Sequence, residues 1–312
     1  MLQTWLDRLA ARAADWPQTP TRKDDMPLRR DPTLRQRRLG AEMRKMREQA
    51  GLGGSQLARA LGLNPTQVTQ METGRIGVSA DRLRTVAAAC DCRNVPLVEA
   101  LAEMAVERAK GWWEEYRGVL ATDFLEVAEV EGHARKLYTC TTTYIPGLLQ
   151  TREYASAVFA RATPMPTAQD IALRTDFRMR RQRILDDQKL PYLAFIHEAA
   201  LRMQFGGPRI LVDQLATLIE ASTALGISIR VMPFSADTFP GSSENLTFAE
   251  GATPELDTVQ MDVAHAVQFF DSPAHLASYR SVFARLEAAT LTEGESRELI
   301  RSVMKEVEGR HV

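Results

Sequence analysis

The stretch from Asn64 to Met71 constrains the fold of this chain more than any other. Asn64 is suited to cap a helix, Pro65 to occupy its first position, and Gln67 to complete a capping box with Asn64. In the predicted helix, Val68 and Met71 share one apolar face. The other faces carry uncharged polar side chains, namely Thr66, Gln67, Thr69 and Gln70. The stretch therefore predicts a short helix that buries one side and exposes neutral amides and hydroxyls.

The flanking residues predict three more helices. The nearest covers residues 55–61 and ends at Gly62, which can adopt the left-handed backbone conformation that often terminates a helix. A basic helix precedes it, with Arg44, Lys45 and Arg47 facing outward, and another helix, capped by Ser79, comes after Met71. The inward positions of the three are Leu39, Met43, Met46, Leu57, Ala58, Leu61, Leu83, Val86 and Ala87. Two short helices joined by a glycine turn form the helix-turn-helix arrangement, whose second helix enters the DNA major groove. The alternative is a helical bundle whose third helix happens to carry polar residues.

These helices resemble the phage-repressor or XRE-type helix-turn-helix family. The matching positions are Leu39, Arg47, Gly51, Leu52, Leu57, Ala58, Leu61, Gly62, Val68, Glu72 and Gly74. The resemblance implies a protein that binds a double-stranded DNA operator, and it implies that Gln56 contacts the DNA.

Candidate DNA contacts follow from side-chain chemistry. Gln pairs with adenine through two hydrogen bonds and Thr can touch the thymine methyl, so we predict base contacts from Thr66, Gln67, Thr69 and Gln70. We predict phosphate contacts from Arg38, Gln56, Asn64 and Arg75. Arg35, Arg37 and Arg38 come just before the first helix, where they could hold the DNA backbone, enter the minor groove or be solvated. Solvation is favoured for any one of them.

Charge is distributed unevenly along the 312 residues, although the net charge is only -1. Residues 29–84 hold 12 Lys or Arg and 5 Asp or Glu, a net charge of +7, and the remainder carries -8. A basic block attached to an acidic body is typical of a DNA-binding domain joined to an effector domain. The 3 cysteines and the lack of a long apolar run or a secretory signal predict a cytoplasmic protein without a membrane span.

Four regions are predicted from the order of the elements. Residues 1–34 form an amphipathic segment and a basic linker, which either docks on the protein or is a flexible arm. Residues 35–93 form the helix-turn-helix domain, 94–120 a single connecting helix capped by Asn94, and 121–312 an effector and dimerisation domain in which strands alternate with helices. The predicted fold class is an all-α helix-turn-helix domain joined by a long helix to an α+β domain with a mixed sheet.

The C-terminal half looks like the corresponding domain of actinobacterial XRE-type regulators called antitoxin-like or WhiJ-like. The likeness lies in the stretches 144–151, 153–155, 230–234 and 278–286 and in Ser296. It implies a transcriptional regulator whose partner is a small protein encoded nearby. We expect a homodimer, because a single helix-turn-helix buries too little surface for tight specific binding. A competing hypothesis is a small-molecule sensor with an apolar pocket near Tyr144 and Trp112.

Catalytic chemistry is not indicated by the sequence, and we expect no enzyme activity, no metal and no cofactor. His197-Glu198 lacks the second histidine of a zinc motif, and Cys140 on a predicted strand favours a buried small side chain. A helix over 167–187 carries Arg174, Arg178, Arg180, Arg181 and Arg183. They could form an anion site or a second nucleic-acid face. A solvated face, or pairing with Asp170, Asp176, Asp186 and Asp187, is favoured.

Overall fold

Five α-helices occupy residues 34–106 of the computed structural model, which describes residues 31–107, 111–186, 190–240, 245–263 and 266–309. They are α1 (Leu34–Gln49), α2 (Gly54–Leu61), α3 (Pro65–Glu72), α4 (Ala80–Ala89) and α5 (Val95–Val106). Residues 1–30, which hold the predicted amphipathic segment, are not among the described residues.

Local sequence determines where these helices begin and end. The Asn64 side chain accepts a hydrogen bond from the Gln67 N–H at 2.8 Å, and the Gln67 side chain accepts one from the Asn64 N–H at 3.1 Å, which confirms the predicted capping box. Ser79 caps α4 as predicted. Gly62 ends α2 with φ of 65°, a left-handed conformation that glycine adopts without the strain of a Cβ atom.

One apolar core joins all five helices. Every inward position predicted for α1, α2 and α4 is buried, and Val68 and Met71 of α3 lie among them. Leu97 and Leu101 of α5 belong to the same core, so α5 is the fifth helix of this domain. It is also shorter than the helix predicted for residues 94–120, because it ends at Val106. The chain then forms a 3₁₀ turn at Trp112–Tyr116, whose rings pack with Phe177 in a small aromatic core.

The C-terminal domain is built on a six-stranded mixed sheet, which confirms the predicted fold class. Its strands are β1 (Lys136–Thr141), β2 (Tyr192–His197), β3 (Ile227–Met232), β4 (Leu246–Glu250), β5 (Thr258–Val263) and β6 (Ala266–Phe270), in the order β3-β2-β1-β4-β5-β6. The β1–β2 and β2–β3 pairs are parallel. The β1–β4, β4–β5 and β5–β6 pairs are antiparallel.

Seven helices in the described part of this domain surround the sheet. They are α6 (Thr122–Gly132), α7 (Arg152–Phe159), α8 (Ala168–Gln182), α9 (Glu198–Arg202), α10 (Pro208–Ala221), α11 (Pro273–Ala289) and α12 (Glu293–Gly309). Alternate residues of β2 enter two different cores, as strand geometry requires. Tyr192 and Ile196 pack in a core with α10 and α12, and Phe195 packs in the core that α11 covers. No helix among the described residues has the length and apolar character that crossing a membrane requires.

Candidate DNA-binding surface

The orientation of α3 is fixed by an ion pair between Arg47 and Glu72. Arg47 Nε lies 2.6 Å from Glu72 Oε1 and Nη2 lies 3.0 Å from Oε2, while Nη1 donates to the Leu52 carbonyl at 2.9 Å. The two side chains are 12% and 9% exposed. The prediction that Arg47 faces outward is therefore wrong: its guanidinium joins α1, the loop before α2 and the end of α3. The hydrogen bonds that Arg47 donates to Glu72 raise the pKa of Arg47.

A close backbone contact also places α3 against α1. A Cβ atom on Gly40 would lie 2.5 Å from the Glu72 carbonyl oxygen, well inside van der Waals contact. Gly40 is buried in the middle of α1, where glycine is a poor helix former. The missing side chain thus lets the two helices pack backbone to backbone and leaves the opposite face of α3 outward.

The outward face of α3 is neutral and polar. Thr66, Thr69 and Thr73 are exposed and Gln70 is half-buried, and their spacing places all four on one side of the helix. Thr73 follows the last helical residue and was missed by the sequence analysis, although it continues the same spacing. Its hydroxyl donates to the Thr69 carbonyl at 2.8 Å, which leaves the oxygen lone pairs as acceptors.

The three glutamines predicted to contact DNA differ in their local roles. Gln67 Oε1 accepts from the Asn64 N–H, and Gln56 Oε1 accepts from the Gly53 N–H at 2.6 Å, so both amides help to cap helices. Gln70 makes no side-chain hydrogen bond within the described part of the chain, so its whole amide is available to a base. Asn64 is exposed, and its oxygen caps α3 while its NH₂ group points to no protein acceptor among those residues.

The predicted phosphate contacts separate into two groups. Arg75 is exposed and has no acidic partner among the described residues, and the same holds for Arg59 of α2, which the sequence analysis missed. Arg38 is different, because its side chain is only 10% exposed. It lies 2.9 Å from both Glu42 and Asp271, and it donates to the Asp257 carbonyl at 3.2 Å. The structure thus places Arg38 against the C-terminal domain, and we remove it from the candidate DNA contacts.

Other cations near the start of α1 are used in the same way. Arg37 pairs with Glu126 of α6, Lys45 lies 2.8 Å from Glu42 and 3.8 Å from Asp271, and the Arg35 N–H donates to Glu129 at 3.1 Å. The prediction that these arginines are solvated or hold DNA does not describe them in this structure. Three cations of the basic block, Arg37, Arg38 and Lys45, are thus paired with carboxylates of the C-terminal domain.

A cavity of about 110 Å³ lies where the helical region meets the C-terminal domain. Arg35 and Arg38 of α1 line one side of it, and Glu129 and His133 line the other. Burial raises the pKa of the Glu129 carboxyl, and burial also lowers the pKa of His133. The two regions therefore meet across a polar and incompletely filled interface.

Comparisons with protein families agree with these two parts. A helix-turn-helix domain model matches residues 38–101, which include all of α2, α3 and α4. A second model, described as a domain of unknown function (DUF5753), matches residues 124–302, more than half of the chain. No curated protein and no solved structure matches the chain. The chain therefore carries the helix-turn-helix domain of a DNA-binding regulator, and it belongs to the DUF5753 family.

Proposed function

We propose that this protein is a sequence-specific transcriptional regulator of the XRE type, which places α3 in the major groove of a double-stranded DNA operator. The observation that carries the proposal is the neutral outward face of α3, with Thr66, Thr69 and Gln70, flanked by the unpaired cations Arg59 and Arg75. Neutral amides and hydroxyls suit base edges, and unpaired cations suit phosphates. We include no catalytic activity in this proposal, and we place the protein in the cytoplasm with its DNA.

The test begins with selection of bound duplexes from a random DNA library by the full chain. Gln70→Ala should then weaken binding to the selected duplex by about 1–3 kcal/mol and change binding to random DNA little. Gln49→Ala is the matched control, because Gln49 is an exposed amide at the end of α1. Fluorescence anisotropy measures both affinities. Equal losses on both duplexes would exclude Gln70 as a base contact, and failure to enrich any sequence would reject sequence-specific binding.

We also propose that the regulator acts as a homodimer on two half-sites. One α3 helix of eight residues contacts few base pairs, whereas two heads one helical turn apart multiply affinity and selectivity. Light scattering on the purified chain should give twice the 34.9 kDa monomer mass, and the selected duplexes should contain a repeated half-site. A monomer that binds one unrepeated site would contradict this part of the proposal.

The C-terminal domain is proposed to bind a small protein encoded beside this gene, as in the antitoxin-like, WhiJ-like regulators it resembles. Support comes from the ion pairs of Arg37 and Arg38, through which the DNA-binding helices are fastened to this domain. A partner that moves the C-terminal domain would therefore also move the DNA-binding helices. Co-purification of the short neighbouring-gene product with the tagged chain tests this assignment, and its absence from the complex at equimolar co-expression would reject it.

The competing small-molecule hypothesis needs a different site from the one predicted. Trp112 packs against Phe177 with ring centroids 4.9 Å apart, and Tyr144 packs against Phe205 at 4.8 Å. Neither ring lines the cavity between the two regions. A small ligand remains a candidate effector, because α8 carries a cluster of cations with unsatisfied hydrogen-bond donors. Such a cluster favours a ligand with an anionic group.

A further inference from the structure

The sequence analysis left an anion site open for the arginines of α8, and two of them, Arg178 and Arg181, form a mostly buried cluster. We expected these side chains to be solvated or to pair with nearby aspartates, but Arg180 pairs with Glu115 and Arg181 with Glu131. Within the described residues, no arginine of α8 forms an ion pair with Asp170, Asp176 or Asp186, and Asp187 lies outside them. Arg178 and Arg181 instead face the loop that follows β1, at Gly147.

The guanidinium groups of Arg178 and Arg181 are close neighbours. A Cβ atom on Gly147 would lie 2.4 Å from Arg181 Nη2 and 3.7 Å from Arg178 Nε, so both groups approach the same point. The absence of a side chain at Gly147 thus leaves room for the Arg181 guanidinium beside the loop. Two like charges at such a separation repel each other, and the repulsion is stronger away from bulk water.

Two carboxylates act on the two cations, but within the described residues neither of them forms an ion pair with Arg178. Arg181 lies 3.1 Å from Glu131, which is 4% exposed and whose pKa is raised by burial. Arg178 donates to the neutral amide of Gln150 and lies 4.1 Å over the Phe159 ring. Burial, followed by the Arg181 charge, lowers the pKa of Arg178 to about 9. The charges of Asp262 and then Glu131 oppose this lowering of the Arg178 pKa, and Asp262 is an exposed residue.

Several donors in and around the cluster lack an acceptor within the described part of the chain. Arg178 Nε is buried without a hydrogen-bond partner, and so is the hydroxyl of Thr175, one turn earlier on α8. The Tyr192 hydroxyl is also buried, beside the Thr139 hydroxyl and within reach of the charges of Arg181 and Glu131. Thr175 and Tyr192 are 2% and 0% exposed. Such groups normally find partners, because an unpaired buried donor costs about 1–3 kcal/mol.

We propose that Arg178 and Arg181 bind the phosphate group of a small metabolite, with the Tyr192 and Thr175 hydroxyls as further donors. A phosphate is the anion of choice, since it carries up to two negative charges and offers several acceptor oxygens to two guanidinium forks. It would supply acceptors for the unpaired donors and a counter-charge at ion-pair distance from Arg178. This ligand would be the effector of the regulator proposed above, and in that respect the inference rests on the proposed function.

Helix α6 connects this phosphate site to the DNA-binding helices. Glu131, which pairs with Arg181, lies on the same helix as Glu126 and Glu129. Those two carboxylates hold Arg37 and the backbone N–H of Arg35. A phosphate that competes with Glu131 for Arg181 therefore acts on the helix that fastens α1 to the C-terminal domain.

The test measures binding of inorganic phosphate to the full chain by calorimetry and by thermal unfolding, with sodium chloride at matched ionic strength as the reference. At ten times its Kd, phosphate should raise the Tm by about 2–4 °C. Arg178→Lys keeps the charge but loses the guanidinium fork, and it should weaken phosphate binding at least tenfold. Arg180→Lys, the same change on the same helix outside the cluster, should bind phosphate like the wild type.

Each outcome decides the assignment independently of DNA binding. Absence of a heat and of a Tm shift with phosphate overturns the site, and so does unchanged binding in Arg178→Lys. Equal stabilisation by acetate overturns the choice of phosphate over a carboxylate. If Arg178→Lys does not fold by circular dichroism, Arg181→Lys is measured under the same criteria. Phosphate binding by a chain that selects no DNA sequence would keep the site and reject only its role as an effector site.

Discussion

Arg47 and Glu72 form the interaction that most directly positions the DNA-binding helix. The pair is bidentate and mostly buried, so its geometry is strict and the desolvation of each charge is compensated only while the other is present. The loss of one member therefore costs more than the loss of a surface pair.

Glu72→Gln should destabilise the helical domain by about 2–4 kcal/mol, because the mostly buried Arg47 charge then keeps only the exposed Glu48, 3.7 Å away, as a counter-charge. Glu99→Gln is the matched control: Glu99 is 51% exposed and pairs with the exposed Arg84, so its loss should cost much less than the loss of Glu72. Chemical denaturation measures both. Similar losses for the two variants would mean that the Arg47–Glu72 pair is energetically an ordinary surface ion pair.

Glu129 should make stability depend on pH. Burial raises its pKa above the ordinary 4.5, so between 4.5 and the raised value the folded protein holds more protons than the unfolded chain. Stability therefore falls as pH rises through this window. Glu129→Gln keeps an acceptor for the Arg35 N–H and removes the titration, so its stability relative to wild type should increase across the window. Thermal unfolding at a series of pH values measures this, with the exposed Glu103→Gln as control. Parallel curves for wild type and Glu129→Gln would contradict the prediction.

At the scale of elements, the contact between α1 and α3 depends on the absence of a side chain at Gly40. In an exposed helix, Gly to Ala is worth up to about 1 kcal/mol in favour of Ala. At Gly40 the new Cβ would meet the Glu72 carbonyl at 2.5 Å, and overpacking of this kind costs about 1–3 kcal/mol.

Gly40→Ala should therefore destabilise the domain and weaken operator binding, because α3 must move away from α1. Gly54→Ala, at the first position of α2, meets no atom within 4 Å and should be neutral or slightly stabilising. Thermal unfolding and anisotropy on the selected duplex measure both variants. If Gly40→Ala is as stable as Gly54→Ala, the close backbone contact does not determine the position of α3.

The sequence predicted the elements whose signals are local. It gave a wrong element length where the same apolar spacing could arise either from a continuing helix or from packing on a distant residue. The cap at Asn64 and the stop at Gly62 are read from a few neighbouring residues, and both are confirmed. The length of α5 was not predictable in this way. Apolar residues continue at helical spacing past Val106, but the helix does not. Trp112 and Tyr116 instead pack on Phe177 of α8, which is a different reason for an apolar side chain at these positions. Spacing alone does not reveal which partner a side chain has.

At the scale of the whole molecule, Arg38 and Arg75 should differ in their effect on salt dependence. Arg75→Gln should lower the slope of log affinity against log salt concentration by about 1, because one phosphate contact is lost. Arg38→Gln should lower the Tm and leave the slope unchanged, since its guanidinium is held by Glu42, Asp271 and the Asp257 carbonyl. Anisotropy titrations at several salt concentrations distinguish the two. A smaller slope in Arg38→Gln would return Arg38 to the phosphate contacts.

The long-range contacts explain why the predicted DNA contacts were only partly recoverable from sequence. Thr66, Thr69 and Gln70 are placed by the local pattern of α3, which the sequence contains in full. Arg38 looks equally suitable by charge and position, yet all its partners except Glu42 lie more than 200 residues further along the chain. Charge counts could indicate a basic block and an acidic body, but not that their charges neutralise each other.

The carboxylates of α6 and Asp271 affect how well the protein distinguishes its operator from the rest of the chromosomal DNA. They occupy Arg37, Arg38 and Lys45, three cations that would otherwise attract any polyanion. Because indiscriminate attraction to nucleic acid grows with every free cation, this masking lowers the background against which an operator must compete. A helical domain excised after residue 106 and grafted onto another protein would lose Glu126 and Asp271 and keep only Glu42 beside Arg38 and Lys45, so the graft should bind unrelated DNA more tightly than the parent does.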